Sequence, residues 1–174
     1  TAKEMIQRDS WMTPYIFGQP QFEKPIFIYW LTRIGFILFG ITSFGARFFP
    51  AIFGVLGVIG IYLLCLIGLK DRQRAFLSGV ILMSAGMYAG MAKTLFTDMV
   101  FSTSISLALL SFFWGYSVRS RKGAGLLLFF AFSALAVLTK GPLGLILTLA
   151  VVICFLLFKK DIKFLFCRYS LWGV

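Results

Sequence analysis

The sequence predicts an all-α integral membrane protein, and three observations carry that prediction. Of the 174 residues, 60% are hydrophobic, the mean hydropathy is +0.93 and only 13% are charged. A soluble core of this size does not need so much apolar surface. The apolar residues also fall into runs near the ~20 residues that a helix needs to cross a bilayer. Finally, the basic residues cluster between those runs and form no single stripe with interleaved aromatics. The net charge of +11 therefore reads as membrane topology, and no nucleic-acid partner is expected.

The runs place five spans, at about 51–69, 75–92, 99–116, 124–139 and 143–158. Two kinds of loop alternate between them. Residues 70–74, 119–122 and 159–163 are strongly basic, whereas 93–98 and 139–142 are short and weakly charged. An excess of Lys and Arg marks cytoplasmic loops, so the loops carrying Asp98 and Lys140 are expected to face outward. Parity then puts Arg47, just before the first span, on the outer side as well. The division that follows is an extracytoplasmic stretch at 1–47 with interfacial helices, then a transmembrane bundle at 48–174.

The N-terminal part suits a membrane surface. In residues 2–7, Ala2, Met5 and Ile6 share one helical face with Lys3 and Glu4 off it, which predicts a short amphipathic helix. Gly18-Gln19-Pro20 reads as a turn. The apolar stretch 25–40 is about 24 Å long as a helix, short of a ~30 Å hydrocarbon core. An interfacial or half-embedded helix fits it, with Tyr29 and Trp30 at headgroup depth. Arg33, inside it, and Lys93 read as interfacial charges with snorkelling stems.

Some chemistries are disfavoured. There is no histidine, and Cys65, Cys154 and Cys167 show no paired spacing, so no metal site is expected from this chain alone. Gly54, Gly57, Gly60, Gly86 and Gly90 suit close helix packing and lack the strand-to-helix context of a phosphate loop. The outer face nevertheless collects Glu23, Lys24, Arg33, Arg47, Lys93, Asp98 and Lys140. Asp98 is the only acid in 75–116. A carboxylate among membrane-length apolar runs is a functional-site candidate by default, and desolvation there would suit it to accept a proton. The cations suit an anionic lipid headgroup, held as point charges.

These residues carry a resemblance. Phe22-Glu23-Lys24-Pro25, followed by Tyr29-Trp30-Leu31, resembles the external-loop signature of membrane glycosyltransferases that use polyprenyl-phosphate sugars. Four further stretches agree in order: Ala2-Lys3-Glu4-Met5 with Asp9-Ser10-Trp11 and Thr13-Pro14, then Ala46-Arg47-Phe48-Phe49-Pro50-Ala51, Thr97-Asp98-Met99, and Leu138-Thr139-Lys140-Gly141-Pro142. Together they resemble the protein O-mannosyltransferase superfamily, and within it the bacterial lipid A aminoarabinose transferases.

The resemblance implies a multi-span fold of the GT-C type. It also implies sugar transfer from a polyprenyl-phosphate donor to a lipid (lipid A-like), glycan or protein acceptor, on the extracytoplasmic side of a bacterial inner membrane. By this resemblance Lys24 holds the donor phosphate, Lys140 and Arg47 join the same charged pocket, and Asp98 orients the acceptor. Glu23 and Tyr29 support them. The family's principal acid and first span are expected upstream of Thr1, and a large external domain beyond residue 174. A divalent metal, if the complete protein uses one, would draw on those parts. The competing reading is a transporter or channel subunit with Asp98 in an ion or proton path, which predicts broken helices near the midplane.

Overall fold

The computed structural model describes residues 1–22, 25–161 and 164. A short helix α1 (Ala2–Gln7) leads into a minimal hairpin, β1 (Tyr15–Ile16) and β2 (Gln19–Pro20). Then come α2 (Phe27–Phe39), α3 (Ser43–Leu69), α4 (Arg72–Ser84), α5 (Gly86–Ala92) and α6 (Thr97–Ser117). A 3-10 turn (Arg119–Arg121), α7 (Lys122–Lys140) and α8 (Leu143–Lys159) complete the described fold.

Local chemistry sets the helix ends. The Thr42 hydroxyl accepts from the Gly45 N–H at 3.1 Å and opens α3. Lys70, at φ 55°, closes it in the left-handed region. Asp71 then caps α4 by accepting from the Gln73 and Arg74 amides at 2.9 and 3.3 Å. Helices α3, α6 and the 119–140 stretch are each long and apolar enough to cross a membrane, while α2 and α8 are shorter apolar helices.

Three differences from the sequence reading have physical causes. Helix α3 starts at Ser43, so Arg47 sits in its second turn and the boundary placed at residue 47 falls inside the helix. Pro50, two turns into the helix, leaves the Ala46 carbonyl without its intrahelical amide, yet α3 continues through it to Leu69. The run at 75–92 is two helices, bent by 70° around Ala85, whose ψ is 114°. A serine and a glycine flank that residue, and the Ser84 hydroxyl donates to the Ile81 carbonyl at 3.0 Å, competing with the helix ladder. The N-terminal turn is centred on Phe17 and Gly18, both at positive φ, so that Gln19 and Pro20 form the second strand.

The glycines fix the packing. Gly54, Gly57, Gly60 and Gly68 of α3 face Met99, Thr103, Leu107 and Phe113 of α6 in rising order, so α3 and α6 run parallel. Between them α5 returns antiparallel, with Ala92 against Gly54 and the Tyr88 hydroxyl donating to the Gly54 carbonyl at 2.7 Å. Helix α7 runs antiparallel to α6. A Cβ on Gly115 would lie only 2.9 Å from the Gly125 Cα, so the two backbones touch. Ala108, Phe112, Leu126, Phe129, Val152 and Leu156 fill the core between α6, α7 and α8.

Candidate functional site

Asp98 lies in the first turn of α6, and Lys140 is the last residue of α7. Because these helices are antiparallel, the two ends coincide, and the Lys140 ammonium donates to Asp98 Oδ1. The α6 dipole favours a carboxylate at its N-terminus, and the α7 dipole favours a cation at its C-terminus. Lys140 Nζ also stands 5.3 Å from the centre of the Phe101 ring, one turn along α6. The pair is half-exposed, with side-chain exposures of 46% for Asp98 and 36% for Lys140. The expectation of a desolvated aspartate is therefore corrected: Asp98 stands at a helix end beside its own cation, open to solvent or ligand.

Parallel packing of α3 and α6 puts Arg47 at the same end of the bundle. Its side chain is exposed and makes no ion pair among the described residues. Lys93, at the C-terminus of α5, is likewise exposed there. The first half of α2 packs on this end too. Ile28 and Leu31 bury against Val100, only two residues from Asp98, with half-buried Tyr29 beside them. Phe27 meets Phe53 edge-on at 6.5 Å. Glu23 and Lys24, four and three residues before α2, lie outside the described residues.

The opposite end carries the basic loops. Arg119 pairs with Asp161 at 3.5 Å, and Lys122 Nζ sits 4.3 Å above the Phe164 ring. These charges fasten helix ends to one another, as a purely topological role requires.

The surface segment is more tightly organised than the sequence suggested. Arg33 is buried at 4% exposure, not snorkelling. Its guanidinium donates to the Met5 carbonyl at 3.2 Å, to the Ser10 carbonyl, and to Asp9 Oδ1 at 2.7 Å. Its Cζ lies 3.9 Å above the Trp11 ring. Sequence reasoning missed Asp9 and Trp11 as partners because both are some twenty residues distant in the chain. It missed Phe101 too, although the spacing of three from Asp98 puts both on one helical face. Nearby, the Glu4 carboxylate accepts from the Phe17 and Gly18 amides at 3.1 and 3.2 Å. The Gly18 amide bond does most to hold its carboxyl below the usual carboxylate range.

With that geometry in view, comparison with known proteins decides the family. The Dolichyl-phosphate-mannose-protein mannosyltransferase family matches residues 1–171. The chain belongs to this family. An uncharacterized protein of Aquifex aeolicus is 33% identical over 170 residues, covering 97% of this chain and 34% of that protein. The undecaprenyl phosphate-alpha-4-amino-4-deoxy-L-arabinose arabinosyl transferase 2 of Proteus mirabilis is 30% identical over 176 residues, covering 99% and 31%. Crystal structures of ArnT from Cupriavidus metallidurans are similar at TM-score 0.90, in the apo state at 27% identity and bound to undecaprenyl phosphate at 25%. They cover 99% of this chain, and this chain covers 32% and 33% of theirs. The chain thus spans about a third of the length of the curated relatives it matches. The fold is that of the membrane region of a GT-C glycosyltransferase, all-α and integral to the membrane.

Proposed function

We propose that this chain is part of a membrane glycosyltransferase that moves a sugar from a polyprenyl-phosphate donor to a lipid A-like acceptor. A glycan or protein acceptor is the variant of the same reading. The site faces the extracytoplasmic side of a bacterial inner membrane, since the basic loops at the other end of the bundle follow the positive-inside pattern. The observation that carries the reading is the Asp98–Lys140 pair at one end of a bundle with TM-score 0.90 to an undecaprenyl-phosphate-bound transferase.

In this reading Lys24 holds the donor phosphate as a point charge, and Arg47 and Lys140 complete the cationic rim. A phosphate entering that rim competes with Asp98 for Lys140. The carboxylate so released orients the acceptor hydroxyl and takes its proton, while the sugar's anomeric carbon exchanges its bond to the phosphate oxygen for one to the acceptor oxygen. Charge developing on the departing phosphate is met by the lysines. Glu23 and Tyr29 support Lys24. Among the described residues, no three potential metal ligands come together.

The transporter reading predicted a broken helix, and the α4–α5 bend is one. Asp98 and Lys140, however, stand at helix termini and not at mid-span, which favours the enzyme. The test uses the complete protein. Asp98→Asn and Lys24→Ala should each lower transfer by roughly 10²-fold or more while membrane insertion is retained. Wild-type rates in both variants reject the assignment.

A further inference from the structure

We propose that the side of α6 running down from Asp98 is the wall of a groove for one acyl chain of the acceptor, with Lys93 at its mouth receiving the acceptor's phosphate. The inference rests on the reading of Asp98 as the residue that faces the acceptor. It commits that acceptor to a phosphorylated acyl lipid, and against a protein or a glycan.

The groove follows one stripe of the helix. Asp98, Ser102, Ser106, Leu109 and Phe113 succeed one another at spacings of three or four residues, so they share a side of α6. Below Asp98 that side is hollow. A cavity of about 390 Å³ lies against Ser102, Ser106 and Leu109, with Gly57 and Ile61 of α3 opposite. Leu82 on one limb of the α4–α5 elbow and Tyr88 on the other also line it, so it sits in the crook of the 70° bend. A second cavity, of about 160 Å³, shares Leu64 and Leu109 with the first and continues to Phe113, Val151 and Phe155. From Asp98 to Phe113 the path is about 22 Å at ~1.5 Å per residue, more than half of a ~30 Å hydrocarbon core. Ser106 is exposed, which opens the groove sideways to the membrane.

The lining selects a hydrocarbon occupant. Each hydroxyl of the larger cavity donates to a backbone carbonyl: Tyr88 to Gly54 at 2.7 Å, Ser102 to Met99 at 3.2 Å, Thr103 to Phe53 at 3.0 Å and Ser106 to Ser102 at 2.9 Å. No hydroxyl proton is left seeking a partner, and no charged side chain lines either cavity. A saturated chain needs neither. At the mouth the chemistry reverses. Lys93 stands in the turn from α5 to α6, two residues past Met91 of the groove wall and five before Asp98. It is exposed and makes no ion pair among the described residues. An ammonium above an apolar slot complements an anionic headgroup above its own tail. Lipid tails are as apolar as the groove, so the chain gains no hydrophobic transfer by entering. What the groove supplies is packing that fixes the headgroup's register against Asp98.

The experiment uses the complete protein in nanodiscs and, as acceptor, an acylated glucosamine disaccharide bisphosphate or its deacylated counterpart. With a diazirine midway along one acyl chain, the acceptor should photolabel Ile61, Leu64 or Leu109 of the wild-type protein. Labelling confined to Val55 and Ile59, on the exposed face of α3, overturns the groove. Ser106→Phe should raise KM for the acylated acceptor about tenfold, within the roughly 10²-fold that a small misplacement can cost. KM for the deacylated acceptor and for the donor should not move, a split that general destabilisation would not produce. Lys93→Gln should raise KM for both acceptors, and Lys93→Arg should restore it. A rise in donor KM on Ser106→Phe gives the groove to the donor's tail and overturns the inference, as does an unchanged acceptor KM. The photolabel needs no variant, so the test stays decisive should Ser106→Phe fail to fold. Asp98→Asn runs in parallel. If it abolishes transfer while the groove variants behave as wild type, only this inference fails. If Asp98→Asn transfers normally, the reading of Asp98 falls and the groove's role with it.

Discussion

At Asp98, one carboxylate answers to the start of α6, the end of α7 and a lysine lying over an aromatic ring. Half-exposed pairs of this kind contribute about 0.2–1 kcal/mol. Lys140→Met should accordingly change thermal stability by less than about 1 kcal/mol while sharply lowering sugar transfer. A large drop in melting temperature with transfer intact would make the pair structural. Arg33 is the contrasting residue, since its burial ties it to the fold. Glu4 gives a residue-scale pH effect. Its carboxyl is lowered in the folded state by the Gly18 and Phe17 amides, so its stabilisation is complete above the ordinary carboxylate value of 4.5. That stabilisation is lost as pH falls through the lower folded value. Deuterium exchange at Phe17 and Gly18, corrected for intrinsic rate, should accelerate on acidification, and Glu4→Gln should show the fast rate throughout. Protection that is independent of pH would remove Glu4 from the turn.

Elements were legible where a single period or cap decides them. The amphipathic face of α1 is buried through Ala2 and Met5 as read, and α6 and α7 follow the apolar runs within a few residues. Two features were not legible, for one reason: partners distant in sequence overrule local pattern. The bend at Ala85 is stabilised by Tyr88 reaching back 34 residues to Gly54, and Arg33 is buried against carbonyls 28 and 23 residues away. The site divides the same way. Asp98 and Lys140 stand out as lone charges beside apolar runs, whereas nothing local ties Phe101 or Asp9 to a cation. Tyr88→Phe should remove about 0.6 kcal/mol, the usual worth of an interhelical hydrogen bond in a membrane; an unchanged unfolding transition would show the bend to be independent of it. Gly125→Leu drives a side chain into the Gly115 backbone and should destabilise by about 1–3 kcal/mol or more. A neutral outcome in thermal unfolding would mean that α6 and α7 are not in backbone contact.

For the whole molecule, parallel α3 and α6 with antiparallel α7 sort the charges into two ends. Cysteines introduced at Phe44, Phe96 and Gly141 should label with an impermeant thiol reagent from one side of the membrane, and those at Gln73 and Ser120 only from the other. Mixed labelling within either group overturns the topology. The elbow between α4 and α5 has a consequence at this scale. A helix that stops and restarts leaves its last carbonyls and first amides without intrahelical partners. Hydrocarbon supplies none, so unpaired backbone at membrane depth persists only against protein or water. Met83 and Met87, on either side of the break, are 61% and 81% exposed. Ala85 itself donates to the Ile81 and Leu82 carbonyls and accepts from the Ala89 amide, so the groups left for water or neighbouring polypeptide to serve are the few between them.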